Sequence, residues 1–231
     1  GNHFGFIRNC QLSNLATEST QISVLYGIQN LLPADIGQNF QLRYSNLGDA
    51  YKKSELSDRE KIGIFYLSSI PTDRAEPSEG LRATIAWQQG LHDPTILLSS
   101  RQLDRFRDGL SIVEEREIRG HRGAYFTISQ HELPGHSNQS SSNEHQVSWN
   151  IVANVNRDHT DVVNLQHELT EAAGSESLIT ADVAENERRL LAIVSAADGR
   201  QAGGDPLRVQ RHQSNVLFNV LRGGIPQHQY S

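Results

Sequence analysis

The run Ile62-Gly63-Ile64-Phe65-Tyr66-Leu67 carries no charge. Ile62, Ile64 and Tyr66 alternate with Gly63, Phe65 and Leu67, so both faces of an extended chain are largely apolar there. A strand of this kind reads as one covered on both sides. A charged loop follows, with Asp73, Arg74, Glu76 and Glu79 between Pro71 and Pro77. A second run then places Leu81, Ala83, Ile85 and Trp87 on one face and Arg82, Thr84, Ala86 and Gln88 on the other. Local rules give a pair of strands with a charged loop at its rim, and name no reaction.

The flanking sequence repeats the strand pattern. Phe4 to Leu12 alternates, and Ile22 to Leu32 extends, with Gly27 read as a bulge or a close approach. Phe40, Leu42 and Tyr44 form a third run, whereas the polar stretch Asp49 to Glu60 reads as a solvated link or short helix. Thr95 to Leu98 is a short strand. Arg101 to Asp108 suits either a strand or a helical turn, and Ile112 to Ile128 reads as a strand pair or bent strand kinked at Arg119-Gly120-His121-Arg122-Gly123. His136 to His145 is a polar loop. Val147 to Val155 alternates as a half-buried strand.

The period then changes. Asp158 to Ala173 is helical, with Asp158 or Thr160 as the cap, and a second helix spans about Thr180 to Ala197. A Gly-rich loop and a closing element, Arg208 to Gly224, complete the order. The expected divisions are an antiparallel sandwich over 1–157, a helical segment over 158–199 on or beside it, and a loop and closing element over 200–231. Many short strands with regular turns favour a mainly β sandwich with a two-helix segment near the C-terminus.

Composition narrows the classes. The 231 residues carry a net charge of −6, with no dominating basic patch, which argues against nucleic-acid binding. No apolar run approaches the roughly 20 residues that span a bilayer. One cysteine, Cys10, excludes an internal disulfide and a four-cysteine zinc site, reads as a small buried apolar residue, and suits the cytoplasm. The chain begins Gly1-Asn2-His3 and contains no Met, which we read as a segment of a longer gene or a processed product.

Candidate sites are few. His121, His131, His136 and His145 lack the i, i+4 spacing of zinc hydrolases, so they read as surface histidines and no metal is expected. Glu76 and Glu79 beside Arg74 fit either a carboxylate pair for glycoside hydrolysis or an ion-pair network holding the turn. Ser68-Ser69 and Ser99-Ser100 lie outside any G-x-S-x-G elbow. Aromatic stacking on a sugar has Trp87, Trp149, Tyr44, Tyr51 and Tyr125 as candidates. The two tryptophans sit on apolar strand faces and read as core, leaving Tyr51 as the surface candidate.

Several phrases taken together carry a resemblance: GNHFGFIRNCQL, LYGIQNLLP, YSNLGDAYKKSEL, TDRAEPSEGL, LLSSRQLDRF, IRGHRGAYF, ADGRQ and RHQSNVLFNVLRGG. Over nearly the whole chain they resemble the N-terminal β-sandwich region of large bacterial glycoside phosphorylases of the cellobiose-phosphorylase and β-1,2-oligoglucan phosphorylase type. The resemblance implies a super-sandwich, galactose-mutarotase-like, packed on an (α/α)6 catalytic barrel in the same parent chain. In such enzymes the general acid and most of the phosphate site lie in the barrel, so no catalytic residue and no cofactor is carried over to this chain. Inorganic phosphate enters only as a co-substrate of the parent enzyme. The chain alone is then inactive. Its expected partners are the barrel, an oligo- or polysaccharide and a second copy in a homodimer. The residues expected to contact them are Arg74, Glu76 and Glu79; Arg119, His121 and Arg122; and Arg211, His212, Asn215 and Arg222, with Tyr51. The other reading is a stand-alone glycan-binding or structural sandwich.

Overall fold

Every strand pairing is antiparallel in the computed structural model, which describes residues 3–34, 36, 42, 45–69, 80–136, 145–171, 175–196 and 205–222. The strands are β1 (Phe6–Ser13), β2 (Thr20–Leu31), β3 (Lys52–Leu56), β4 (Gly63–Leu67), β5 (Ala83–Gln89), β6 (Thr95–Leu97), β7 (Glu117–Arg119), β8 (Gly123–Leu133) and β9 (Gln146–Arg157). They form a six-stranded sheet in the order β1-β9-β5-β4-β3-β7 and a three-stranded sheet in the order β2-β8-β6. The helices are α1 (Ser45–Ala50), α2 (Leu103–Arg107), α3 (His159–Glu171), α4 (Ser175–Ala196) and α5 (Pro206–Leu221). The protein is mainly β, an antiparallel sandwich followed by helices. Two compact units are distinguished, Gly1–Val183 and Ala184–Ser231.

The first unit is layered. Between the sheets, Cys10, Phe65, Ala86, Trp149 and Ile151 of the large sheet meet Leu31, Ile96 and Tyr125 of the small one. On the far side of the large sheet, Ile85, Trp87 and Val152 are covered by Val162 and Leu165 of α3 and by Ile179 of α4. The outer side of the small sheet packs Leu97, Ala124 and Phe126 against Leu103 and Ile112. Thus β4 has cover on both faces, as its composition requires. The two tryptophans are both core, but on opposite sides of the large sheet: Trp149 faces the sandwich interior and Trp87 faces α3.

Two glycine–aromatic pairs set the distance between the sheets. A side chain starting at Gly63 in β4 would lie 2.9 Å from Cδ2 of Tyr125, and one starting at Gly123 in β8 would lie 2.4 Å from Cδ1 of Phe65. Each ring therefore occupies the space left by the other strand's glycine. The Tyr125 hydroxyl crosses the interior and donates to the Lys61 carbonyl at 2.8 Å.

Local chemistry explains the boundaries. Asp158 and Asp161 cap α3 reciprocally: the Asp161 N–H donates to Asp158 Oδ1 at 3.0 Å and the Asp158 N–H to Asp161 Oδ2 at 3.1 Å. Asp205 accepts from the N–H groups of Leu207 and Arg208, and Pro206 opens α5. The closing element is thus a helix. Of the two expectations for Gly27, close approach holds: a Cβ there would lie 2.0 Å from the Tyr125 carbonyl. The irregularity of β2 falls instead at Asn30, whose φ is 57°.

One segment corrects the sequence reading. The stretch Asp49 to Glu60, which reads as a solvated link or short helix, contains strand β3, an interior strand of its sheet between β4 and β7. Its inward positions are Lys52 and Ser54, both buried, and the Lys52 ammonium is held by Asp49 at 2.5 Å. A polar residue at a buried strand position defeats an apolar-alternation test. Leu42, expected in a strand with Phe40 and Tyr44, has helical backbone, and those two neighbours lie outside the described residues.

Two outcomes are expected. Gly123→Ala should lower stability by about 1–3 kcal/mol in urea unfolding, as overpacking does, and Phe65→Leu in the same chain should restore part of that loss. Burial raises the Tyr125 phenol far above its ordinary value. The unfolded phenol ionises near 10, so above that pH the unfolded state releases a proton that the folded state keeps. The stability present below pH ~10 should therefore fall as pH rises, with a shallower decline in Tyr125→Phe.

Candidate functional site

The outer face of the large sheet carries the clearest concentration of functional groups. Strand register places Arg119 opposite Lys53, Lys53 opposite Tyr66, Tyr66 opposite Ala83 and Ala83 opposite Arg157. These five form one row across β7, β3, β4, β5 and β9. The register shift between Ala83 and Ile85, with Asn156 at φ 58°, brings Arg157 into it.

At the β7 end the row is ionic. Arg119 Nε binds Glu117 Oε1 at 2.6 Å, and Lys53 pairs with Glu55 and, at 3.4 Å, with Glu117. The Arg119 guanidinium holds Glu117 below the usual carboxylate range, and Glu117 in turn raises Arg119. Lys53, hydrogen-bonded to Glu55 and Tyr66, is held well above the ordinary lysine range. The Tyr66 hydroxyl donates to Glu55 Oε2 at 2.8 Å, and the Lys53 ammonium lies 5.6 Å from the centre of the Tyr66 ring. Burial, followed by the Glu55 contact, pushes the Tyr66 phenol up, against the opposing pull of Lys53.

At the β9 end the row opens into a cleft of about 470 Å³. Ile64, Tyr66, Ala83 and Val162 form its apolar lining; Glu55, Arg82, Arg157, Asp158, His159 and Gln166 supply the polar groups. Arg82 and Asp158 make an ion pair at 3.4 Å. Arg157 donates through Nη2 to the His3 carbonyl at 3.4 Å and lies 3.9 Å from Asp161, while its buried Nε has no hydrogen-bond partner. A smaller cavity of about 200 Å³ also reaches Arg157, bounded by His3, Trp87, Asn164 and Glu168.

The residues singled out from sequence scatter. Arg119 joins the ionic row. His121 and Arg122 follow it, exposed, in the turn to β8. Tyr51 is half-buried, and its carbonyl accepts from the Ser68 N–H at 2.8 Å. In the second unit, Arg211, His212 and Asn215 are exposed on α5, and Arg222 ends that helix with its guanidinium 5.4 Å from the Phe218 ring centre. Arg74, Glu76 and Glu79 lie outside the described residues. Among the described residues no group of three His, Cys, Asp or Glu converges to hold a metal ion. His136 and His145 meet edge to face with ring centres 4.7 Å apart, and the buried Nδ1 of His145 has no partner.

Sequence reasoning missed Tyr66, Ala83 and Arg157 as neighbours. Tyr66 was visible as the one polar-tipped ring in an apolar run. Its partners depend on a register among three strands, one of them more than eighty positions further along. Tyr66→Phe should cost about 1 kcal/mol through the lost bond to Glu55. Arg119→Ala, at an exposed pair, should leave the urea midpoint unmoved.

No protein-family model matches this sequence, and no curated protein is similar enough to it to be matched.

Proposed function

We propose that this chain is a non-catalytic β-sandwich domain of a carbohydrate-active enzyme that acts on β-glucosides, by phosphorolysis or hydrolysis. In this reading it supports an (α/α)6 catalytic barrel of the same polypeptide and assists assembly of a homodimer in the cytoplasm. Supporting it are the phrase resemblance and the sandwich-then-helices order. The observation that carries it is the apolar surface left open on the last two helices. Leu190 and Ile193 of α4 and Leu217, Phe218 and Leu221 of α5 are all exposed, Phe218 at 55% and Leu221 at 77%. Large apolar side chains left exposed on each of these helices support a surface that a further folded body covers. No described helix is long and apolar enough to cross a membrane.

The alternative of a stand-alone glycan-binding sandwich loses its tryptophan platforms, since Trp87 and Trp149 are 1% and 4% exposed. The carboxylate-pair reading of Glu76 and Glu79 rests on residues outside the described set.

An immunoblot of source cells with an antibody to this segment tests the proposal. The expected band is several times larger than the 25.8 kDa of this chain. A band at 25.8 kDa would overturn it. The isolated chain should release no sugar phosphate from β-glucans in the presence of inorganic phosphate.

A further inference from the structure

We propose that the cleft between Tyr66 and Arg157 is a binding site for one or two rings of a neutral glucan chain. The sugar class rests on the carbohydrate-enzyme reading above; the site itself rests on the row geometry. Tyr66, Ala83 and Arg157 stand on three successive strands. Strands lie about 4.8 Å apart, so Tyr66 and Arg157, two strands apart, start about 10 Å from each other and both line the cleft. Ala83 is the reason the gap exists: its single methyl leaves the space between the two larger side chains open. Lys53 approaches the Tyr66 ring from the opposite neighbouring strand, and the Glu55 bond fixes its hydroxyl, so the ring is held ready as a wall.

The chemistry of the lining selects the ligand. Two contact layers of about 4 Å each leave room for one flat ring between Tyr66 and Arg157. The cleft volume, about 470 Å³, lies in the range of small-molecule sites. Glu55 and Asp158 balance Arg82 and Arg157, so the lining has no net charge to favour an anion. The combination of an apolar floor and planar donors at the rim matches a pyranose, which has an apolar C–H face and a hydroxyl edge.

The test is an NMR titration of the ¹⁵N-labelled chain with cellotetraose and with a linear β-1,2-linked gluco-oligosaccharide, and separately with inorganic phosphate. Saturable shifts at the amides of Ala83, Arg157, Val162 and Val163 with a glucan are expected. Ala83→Leu fills the gap and should weaken binding by at least about tenfold. Because Ala83 is buried, Arg82→Ala provides an exposed-site variant, expected to weaken binding about threefold or more with an unchanged circular dichroism spectrum. The proposal fails if neither glucan shifts these amides, if phosphate shifts them instead, or if Arg82→Ala and a folded Ala83→Leu bind as the parent does. A large native polypeptide without glucan shifts here would leave the domain reading standing and remove only this site. Glucan shifts here with a native mass of 25.8 kDa would do the reverse.

Discussion

The reciprocal insertion of Phe65 and Tyr125 over the glycines of the opposing strands holds the rest of the first unit in place. Sheets packed face to face ordinarily stand about 10 Å apart, and large rings meeting head-on would force them wider. Here each ring faces a position without a side chain, so the interior closes around them. Gly63 and Phe65 share one face of β4, and Gly123 and Tyr125 share one face of β8, so two residues per strand define the alignment of the sheets. Once that alignment is fixed, Trp149 meets Tyr26 edge to face at 5.8 Å, and the remaining inward side chains complete the layer.

The far side of the large sheet is built on a different balance. Helix α3 covers it where the strands present Ile85, Trp87 and Val152, and there burial of apolar surface supplies the stabilisation. Toward β7 the same face carries Lys53, Glu55, Glu117 and Arg119. Exposed ion pairs of this kind contribute little to stability. They blunt an edge strand of only three residues, which would otherwise offer unpaired backbone groups to another chain. The cleft lies between these two regimes.

Much of this architecture was legible in the sequence where the hydrophobic pattern is clean. β4 announces itself as an uncharged run apolar on both faces, β5 and β9 by alternation, and α3 by its change of period and its aspartate cap. β3 was hidden because its buried positions are Lys52 and Ser54, whose burial depends on partners that a local reading does not see. The sequence does not define α5 as a helix because its apolar residues do not form one narrow stripe: Leu207 and Phe218 lie opposite Val209, Val216 and Val220. The candidate site was the least legible part. Tyr66, Ala83 and Arg157 are unremarkable one at a time, and only the pairing of β4, β5 and β9, with its irregularity, makes them neighbours. By contrast, Arg119 was picked out by its basic, glycine-flanked context and does belong to the same row.

The strand order also dictates when the protein can fold. β1 has its sheet partner in β9, with Asn9 and Asn150, which bond to each other, 141 positions apart; β2 has its partner in β8, about a hundred positions away. Non-local pairings of this kind form slowly, because the intervening loop must close before any contact is gained. At a synthesis rate of about 5–20 residues per second, β1 emerges from a ribosome roughly ten seconds or more before β9. Throughout that interval Phe6, Ile7, Cys10 and Leu12 have no sheet to join. β1, made well before β9, is among the last strands to be secured, and the nascent chain needs shielding there until its partner follows.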